Sequence, residues 1–263
     1  MRNGAENFRK RAQAGIFQKG FAVTLAEPVL SEMAGCAGYD FVFIDAEHAP
    51  LGRIEIFRHI MAAQGAGACA FVRVPDAAPA PLKAILDAGP DGIIFPFVHN
   101  ARIARAAVAA CVYPDSPPRG MRGQGPQRAV RYGFGPSGDY LADPGAWCLR
   151  LMQIESLEGY LHLDEILAVD GVDGIYLGPA DLLRSLRAAQ TPPRKSVEEI
   201  CRDVYARVRA AGKLMGAPLG TDVRSVESAL QMGAQWGVCG IDTELMAGAM
   251  RACLALFEGP ADF

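Results

Sequence analysis

The sequence predicts a single α/β domain folded as a closed (β/α)8 barrel, or TIM barrel. Its 263 residues are close to the roughly 250 that this fold typically uses. Short apolar runs and helical stretches alternate eight times along the chain. The runs are apolar throughout, which is typical of parallel strands covered on both faces. A doubly wound open sheet is the remaining alternative, and no linker divides residues 1–263.

The first four β-then-α units precede a break in this pattern. Their predicted strands are residues 21–25, 40–44, 69–74 and 92–96, and their predicted helices are residues 27–37, 54–64, 79–88 and 101–111. Residues 112–146 are rich in proline and glycine, which predicts an irregular segment. We therefore expect the alternation to resume only after residue 146.

The last four units complete the barrel. Their predicted strands are residues 149–154, 172–177, 213–218 and 236–241, and their predicted helices are residues 156–169, a helix starting after 178, 223–232 and 243–257. Pro179 suits the first turn of a helix because its missing N–H is not needed there. The carboxyl ends of all eight strands should meet at one rim, where barrel enzymes carry their chemistry.

Composition excludes several classes of function. The formal net charge is −3 and no basic block occurs, so we expect no nucleic-acid partner. Residues 1–11 are polar, and no segment approaches the ~18 apolar residues of a membrane helix, so we expect no membrane partner. Seven widely spaced cysteines without a C-x-x-C motif predict reduced thiols and a cytoplasmic protein.

The predicted rim is rich in acidic residues. The polar and turn residues at the strand ends are Asp45, Glu47, His48, Arg73, Pro96, Gln153, Glu155, Gly178, Pro179, Ala180, Asp181 and Asp242. Glu155 and Asp181 each follow a buried strand of one βαβ unit. Two carboxylates close together on a dry rim repel each other, and a divalent cation is the usual remedy. The sequence therefore predicts a metal site at Glu155 and Asp181.

A histidine follows the second predicted strand, close to a carboxylate. His48 is suited to shuttle protons near neutral pH, and Asp45 is placed to hold its ring. The alternative is a loop histidine that caps the following helix. His59 and His162 fall on predicted helices and are interpreted as structural, whereas His99 stays unassigned near the rim.

Two features of the rim suit an anionic substrate. Arg73 closes an apolar strand, where a cation is costly unless it meets an anion. That anion is either a substrate oxyanion or, in a structural salt bridge, Asp45 or Glu47. The N–H groups of Ala180 and Asp181 at a helix start suit a small carboxylate, although an ordinary turn has the same sequence.

The lysines exclude one mechanism. The chain has only five, and none falls at the carboxyl end of a predicted strand. A Schiff-base aldolase therefore lacks its nucleophile. If this barrel forms an enolate, a metal must stabilise the negative charge.

Seven motifs, taken in chain order, resemble the HpcH/HpaI aldolase family. They are FVFIDAEHAP (41–50), FVRVP (71–75), LDAGPDGIIFPFV (86–98), PRGMRG (118–123), MQIES (152–156), GVDGIYLGPADL (171–182) and CGIDTELM (239–246). The similarity runs over nearly the whole chain, from about residue 15 to 257. This family comprises class II, metal-dependent pyruvate aldolases. The resemblance therefore implies reversible cleavage of a 4-hydroxy-2-oxo acid to pyruvate and an aldehyde.

The resemblance implies how the rim holds metal and substrate. Glu155 and Asp181 would bind a divalent metal, Mg²⁺ or Mn²⁺, with Co²⁺ also possible. Arg73 would stabilise the enolate oxygen, and Gln153 would lie near the 2-oxo acid. The substrate carboxylate would be held by the turn Gly178, Pro179, Ala180 and Asp181.

The resemblance also implies proton transfer and an oligomer. His48, paired with Asp45, would move the proton, and Asp87 would reach the site from a neighbouring subunit. The assembly would be a homohexamer, a trimer of dimers, with the last helix (about 243–257) packed on a partner.

Some segments depart from the family pattern. Leu183 and Arg187 stand where the family often has serine and glycine, and the segment 113–123 is stretched. These places face the aldehyde half of the substrate, so the aldehyde stays undefined. Three alternatives also stay open: a citrate-lyase-like or malyl-CoA-like lyase, an oxaloacetate-type decarboxylase, and a non-catalytic barrel scaffold.

Overall fold

Eight parallel strands form a closed barrel in the computed structural model, which describes residues 3–76, 79–134, 138–191 and 193–257. The strands pair in chain order, and β8 pairs with β1 to close the ring. They are β1 (Gln18–Val23), β2 (Phe41–Asp45), β3 (Cys69–Arg73), β4 (Gly92–Phe95), β5 (Leu149–Ile154), β6 (Gly174–Leu177), β7 (Leu214–Leu219) and β8 (Trp236–Ile241). The predicted (β/α)8 fold is confirmed.

Helices surround the barrel. They are α1 (Gly4–Gln13), α2 (Val29–Cys36), α3 (Arg53–Gly65), α4 (Pro79–Asp87), α5 (Ala101–Cys111), α6 (Gly138–Ala142), α7 (Leu157–Leu161), α8 (Leu163–Leu167), α9 (Pro179–Ala188), α10 (Val197–Ala210), α11 (Val223–Met232) and α12 (Asp242–Ala255). Outward-facing strand residues such as Val42, Ile44, Val72 and Ile93 pack under them and are fully buried. This layer between strands and helices is the main core.

Four helical regions differ from the prediction. Residues 156–169 form α7 and α8 instead of one helix, because the chain breaks at His162. Nδ1 of the His162 ring lies 3.0 Å from the Glu158 carbonyl oxygen. The same oxygen accepts a hydrogen bond from the backbone N–H of His162. The helices α1, α6 and α10 were not predicted, and α6 lies within residues 112–146. Both α1 and α10 have side-chain caps, including a capping box at the start of α10.

An aromatic column fills the barrel from its amino-terminal end to the rim. Phe8 of α1 is 1% exposed, and its ring centroid lies 4.8 Å from that of Phe71 and 6.3 Å from that of Trp236. Trp236 stacks on Tyr176 at 5.2 Å, and Tyr176 contacts Phe43 at 5.4 Å. The amino-terminal helix therefore acts as a floor for the barrel.

Asp242 joins the first and last strands at the rim. Its carboxylate accepts hydrogen bonds from the backbone N–H groups of Thr24 and Leu25 at 2.8 and 2.9 Å, and from the Thr24 hydroxyl at 2.6 Å. These contacts hold the end of β1 against the start of α12. Asp242 is therefore a structural acid of the rim.

The strand register sets the charged residues of the rim side by side. Asp45 of β2 and Arg73 of β3 are direct partners in the ladder. Glu155 comes immediately after β5, and Gly178 immediately after β6. Within the described ranges, no helix is both long and apolar enough to cross a membrane.

Candidate active site

Glu155 is a buried carboxylate at the end of β5. Its side chain is held on two sides, because Oε1 accepts a hydrogen bond from the Phe97 N–H at 2.8 Å and Oε2 accepts one from the Gln153 amide. The residue is only 2% exposed. Burial raises the pKa of Glu155 above its ordinary value, and these hydrogen bonds oppose the rise.

The contact to Glu155 depends on an unusual backbone conformation at Phe97. This residue has φ of 49°, in the left-handed region that non-glycine residues rarely adopt. It follows Pro96 just beyond β4, and the turn directs its N–H at Glu155. Backbone strain of this kind is common at functional sites, and surrounding contacts are needed to maintain it.

The turn after β6 brings a second carboxylate to the same place. Gly178 caps α9, Pro179 lies in its first turn, and Asp181 is an acidic residue of that turn. A Cβ at Gly178 would lie 2.6 Å from Glu155 Cβ, so only glycine allows this approach. Burial is the main cause of the raised pKa of Glu155, and the negative charge of Asp181 adds to it.

The oxygen atoms around Glu155 suit a hard divalent cation. Within the described residues, Gln153 Oε1 is buried without a hydrogen-bond partner. No three His, Cys, Asp or Glu side chains of that part of the chain form a metal cluster. The chain thus offers two carboxylates, Glu155 and Asp181. Mg²⁺ is commonly bound by one or two carboxylates together with water and substrate oxygens, so the residues fit such an ion.

Arg73 is held by two carboxylates. Its Nε and Nη2 donate to Asp45 at 3.0 and 2.7 Å, and its Nη1 lies 3.2 Å from Glu47 Oε2. The guanidinium also lies over the Phe43 ring at 5.2 Å. Burial alone would lower the pKa of Arg73, but the hydrogen bonds and charge of Asp45 raise it. The structural salt bridges left open by the sequence are therefore present.

These salt bridges leave Arg73 able to bind a further anion. A guanidinium has five N–H donors in a planar fork. Two of them donate to Asp45, and Nη1 forms an ion pair with Glu47 Oε2, an oxygen that accepts no hydrogen bond. The side chain is 13% exposed and lines a cavity in the barrel mouth. Arg73 is thus fixed in position without being fully occupied.

The structure does not pair the His48 ring with Asp45. Asp45 Oδ1 accepts hydrogen bonds from the backbone N–H of His48 at 3.3 Å and of Glu47 at 3.1 Å. Both carboxylate oxygens of Asp45 also accept hydrogen bonds from Arg73. The imidazole is 62% exposed, and its Nε2 lies 3.7 Å from Glu47 Oε2. The carboxylate nearest to the histidine ring in the described chain is therefore that of Glu47.

Glu47 is a rim residue to which the sequence assigned no catalytic or metal-binding role. It bridges the His48 ring and Arg73, and its side chain is 9% exposed. Burial raises the pKa of Glu47, and the Arg73 charge opposes that rise. The charge of Glu155 raises the same pKa further. The signal in the sequence was its place between Asp45 and His48.

Asp87 does not join the other predicted site residues. It ends α4, which runs from the rim towards the amino-terminal end of the barrel. Its Oδ1 accepts from Nη2 of the buried Arg122 at 3.2 Å, and Arg122 lies over the rings of Tyr113 and Tyr140. Any contact between Asp87 and a rim would therefore require a second copy of the chain.

The other histidines agree with their sequence interpretation or extend it. His59 is buried and contacts the Ser31 hydroxyl at 2.7 Å and the Leu25 carbonyl at 3.0 Å, and burial lowers its pKa. His99 lies 2.7 Å from the Ser156 hydroxyl, next to the Glu155 loop. His59 is thus structural, and His99 supports the segment that carries Glu155.

Known proteins resemble this chain over almost its entire length. A family model described as HpcH/HpaI aldolase/citrate lyase matches residues 18–249. A hydroxypyruvate/pyruvate aldolase of Roseovarius nubinhibens is 35% identical over 94% of this chain and 95% of its own. A 4-hydroxy-2-oxovalerate aldolase of Rhodococcus jostii is 35% identical over 98% of each chain. The family match spans all eight strands and every rim residue described above.

A solved structure shows the same similarity in three dimensions. The crystal structure of an HpcH/HpaI aldolase/citrate lyase family protein from Burkholderia cenocepacia superposes with a TM-score of 0.86. The two chains are 28% identical, and the superposition covers 97% of this chain and 100% of the other. Sequence and fold therefore point to the same family.

Proposed function

The chain belongs to the HpcH/HpaI aldolase/citrate lyase family, and from this premise we propose how its rim performs catalysis. The protein is an aldehyde-lyase, a pyruvate aldolase of class II. In this reaction a 4-hydroxy-2-oxo acid is split reversibly into pyruvate and an aldehyde. The approach of the Gly178 turn, which carries Asp181, to the buried Glu155 side chain, beside Arg73, is the observation on which the assignment of roles rests.

A divalent metal is the proposed cofactor. Members of this family typically depend on one. Glu155 and Asp181 would hold Mg²⁺ or Mn²⁺, with Co²⁺ as a further candidate, and Gln153 would lie beside the bound 2-oxo acid. When bound, the metal would act as a Lewis acid that polarises the 2-oxo group. The raised pKa of Glu155 supports this role, because a cation would compensate its buried charge.

The remaining rim residues are proposed to bind the substrate and move its proton. The N–H groups of Ala180 and Asp181, at the start of α9, would hold the pyruvate carboxylate. Arg73 would direct its free N–H donors at the oxygen that gains charge as the C3–C4 bond breaks. His48 would exchange the proton with solvent, since its ring is exposed and contacts Glu47.

Metal-dependent proton exchange tests this assignment without knowledge of the aldehyde. We expect the methyl protons of pyruvate to exchange with deuterium in heavy water when Mn²⁺ or Mg²⁺ is present, because enolate formation alone suffices. After EDTA treatment the exchange should fall to the rate without enzyme, and added metal should restore it. The measurement is the loss of the pyruvate methyl signal by proton NMR. Exchange that persists in EDTA would contradict the proposed cofactor.

Oligomerisation through the last helix is also proposed. Met246, Met250 and Leu254 are four residues apart on α12, which places them along one face, and all are exposed. Exposed apolar side chains grouped on one face are typical of an interface. We propose that this face packs on a second copy of this chain within a homohexamer, a trimer of dimers.

Light scattering measures the assembly directly. The wild-type protein should have the mass of six 28.0 kDa chains. Met250→Lys should shift the mass towards smaller species, because a charge in an apolar interface is costly. Met33→Lys, on exposed α2, is the matched control and should retain the full mass. A monomeric wild-type protein, or equal behaviour of both variants, would contradict the proposal.

A reducing, cytoplasmic compartment is proposed as well. No disulfide joins any of the seven cysteines in the described part of the chain. Cys111 and Cys148 are fully buried, and burial raises the pKa of the Cys111 thiol to about 12. Such thiols are unreactive core residues, which supports a compartment where cysteines stay reduced.

A further inference from the structure

A cavity opens next to the proposed pyruvate site, on the side of the rim formed mainly by β1, β2, β7 and β8. We call it the mouth cavity. Its volume is about 260 Å³, and Asp45 and Arg73 form part of its wall. Glu155 and Asp181 do not line it. Arg73 therefore stands between two halves of the barrel mouth, with the acidic pair on one side and the mouth cavity on the other.

The wall of the mouth cavity has a distinctive polarity. Thr24 and Thr221 contribute hydroxyl groups, and Glu244 contributes a carboxylate from the first turn of α12. Among the described residues that line it, Arg73 is the only cation, and Asp45 and Glu47 already hold it. The cavity thus contains hydrogen-bond acceptors and an excess of negative charge.

This polarity distinguishes between classes of aldehyde. A hydroxyl group on the aldehyde can donate a hydrogen bond to a carboxylate oxygen or a threonine oxygen. A carboxylate on the aldehyde would meet the like charge of Glu244, and the charge of Arg73, the one cation among the described lining residues, is already balanced by Asp45 and Glu47. The volume is below the roughly 300–1,000 Å³ of pockets for drug-sized ligands, which favours a short molecule.

We propose that the mouth cavity binds the aldehyde, that it selects a short uncharged hydroxyaldehyde, and that Glu244 disfavours aldehydes carrying a carboxylate. The inference rests on the proposed function, because the cavity is an acceptor site only if pyruvate becomes an enolate beside Arg73. In the addition, a C3–H bond of pyruvate breaks and C3 bonds to the aldehyde carbon. The aldehyde oxygen takes up one proton, so no further reactant is consumed.

The test compares two acceptors in the aldol direction. Wild-type enzyme with pyruvate and Mn²⁺ should use glyceraldehyde at least about ten-fold better than succinic semialdehyde, measured as kcat/KM. Glu244→Gln keeps the shape of the side chain and removes its charge. It should reduce this preference roughly five- to ten-fold, the effect of one partly screened like-charge contact. Glu244→Lys should reduce it further, because it supplies a cation to the semialdehyde.

Controls separate this inference from the reaction itself. Glu227→Gln makes the same chemical change on exposed α11, outside the mouth cavity, and should keep the wild-type preference. A wild-type preference for the semialdehyde, or an equal preference in Glu244→Gln and wild type, would overturn the inference. Pyruvate deuterium exchange by the same wild-type preparation would show that the enolate forms, so only the acceptor assignment would fail. Absence of that exchange would overturn both.

Discussion

Glu155→Gln should abolish both metal binding and turnover. The substitution keeps the length of the side chain but removes the charge that, together with Asp181, would hold the cation. A Lewis acid supplies several kcal/mol to the stabilisation of transition-state charge, so we expect kcat to fall by about 10³-fold or more. Calorimetric titration with Mn²⁺ measures the affinity, and pyruvate exchange measures the chemistry.

The thermal stability of the metal-free protein is the control that shows whether Glu155→Gln is still folded. Because burial raises the pKa of Glu155 above the ordinary value of 4.5, ionising it disfavours the folded state. The metal-free wild-type protein should therefore lose stability as pH rises from 4.5 through the raised pKa, and the glutamine variant should lack that loss. At neutral pH the metal-free variant should unfold at the same temperature as wild type or higher. If it unfolded at a lower temperature, or still bound Mn²⁺ with wild-type affinity, the assignment would be wrong.

Arg73→Lys should reduce turnover while metal binding persists. Lysine retains the charge but cannot make the two parallel hydrogen bonds to Asp45 or keep donors fixed towards the substrate oxygen. Loss of one preorganised donor of this type costs about 10²–10³-fold in kcat. We expect a decrease of that size, measured in steady-state cleavage or addition assays.

Metal affinity separates the two substitutions. Arg73→Lys should bind Mn²⁺ as wild type does, within a factor of about three, because Arg73 is not among the proposed ligands. Arg11→Lys changes an equivalent ion pair with Asp40 far from the rim, and this control should retain full turnover. The proposed role of Arg73 fails if its variant retains near wild-type kcat, or if both arginine variants lose activity equally.

The strands were predictable because burial on both faces requires unbroken apolar runs. β5 and β8 begin and end at the predicted residues. The helix α1 was missed because its buried residues include only one large apolar side chain, Phe8, within a polar segment. The helix α10 had a recognisable signal, since Ser196 and Glu199 form the reciprocal bonds of a capping box.

The position of rim residues was easier to predict than their pairing. Placement at a strand end fixes which side of the barrel a residue occupies, so the sequence identified Glu155, Asp181 and Arg73 as rim residues. Pairing depends on register and side-chain direction. Asp45 and His48 are neighbours in sequence, yet Asp45 bonds with Arg73 across the β2–β3 ladder. The left-handed conformation of Phe97 had no sequence signal, because it is rare outside glycine and a few polar residues.

The aromatic column fills the barrel below the rim, so the rim is the open end. Phe8 lies at its base, packed against Phe71 and Trp236, and Trp236 stacks on Tyr176 towards the rim. Substrates and products should therefore enter and leave through the barrel mouth. In the proposed arrangement, pyruvate beside Glu155 and Asp181 and the aldehyde next to Glu244 would leave through this one opening. Product release through a single opening, and inhibition at high product concentrations, would thus follow from the position of the amino-terminal helix.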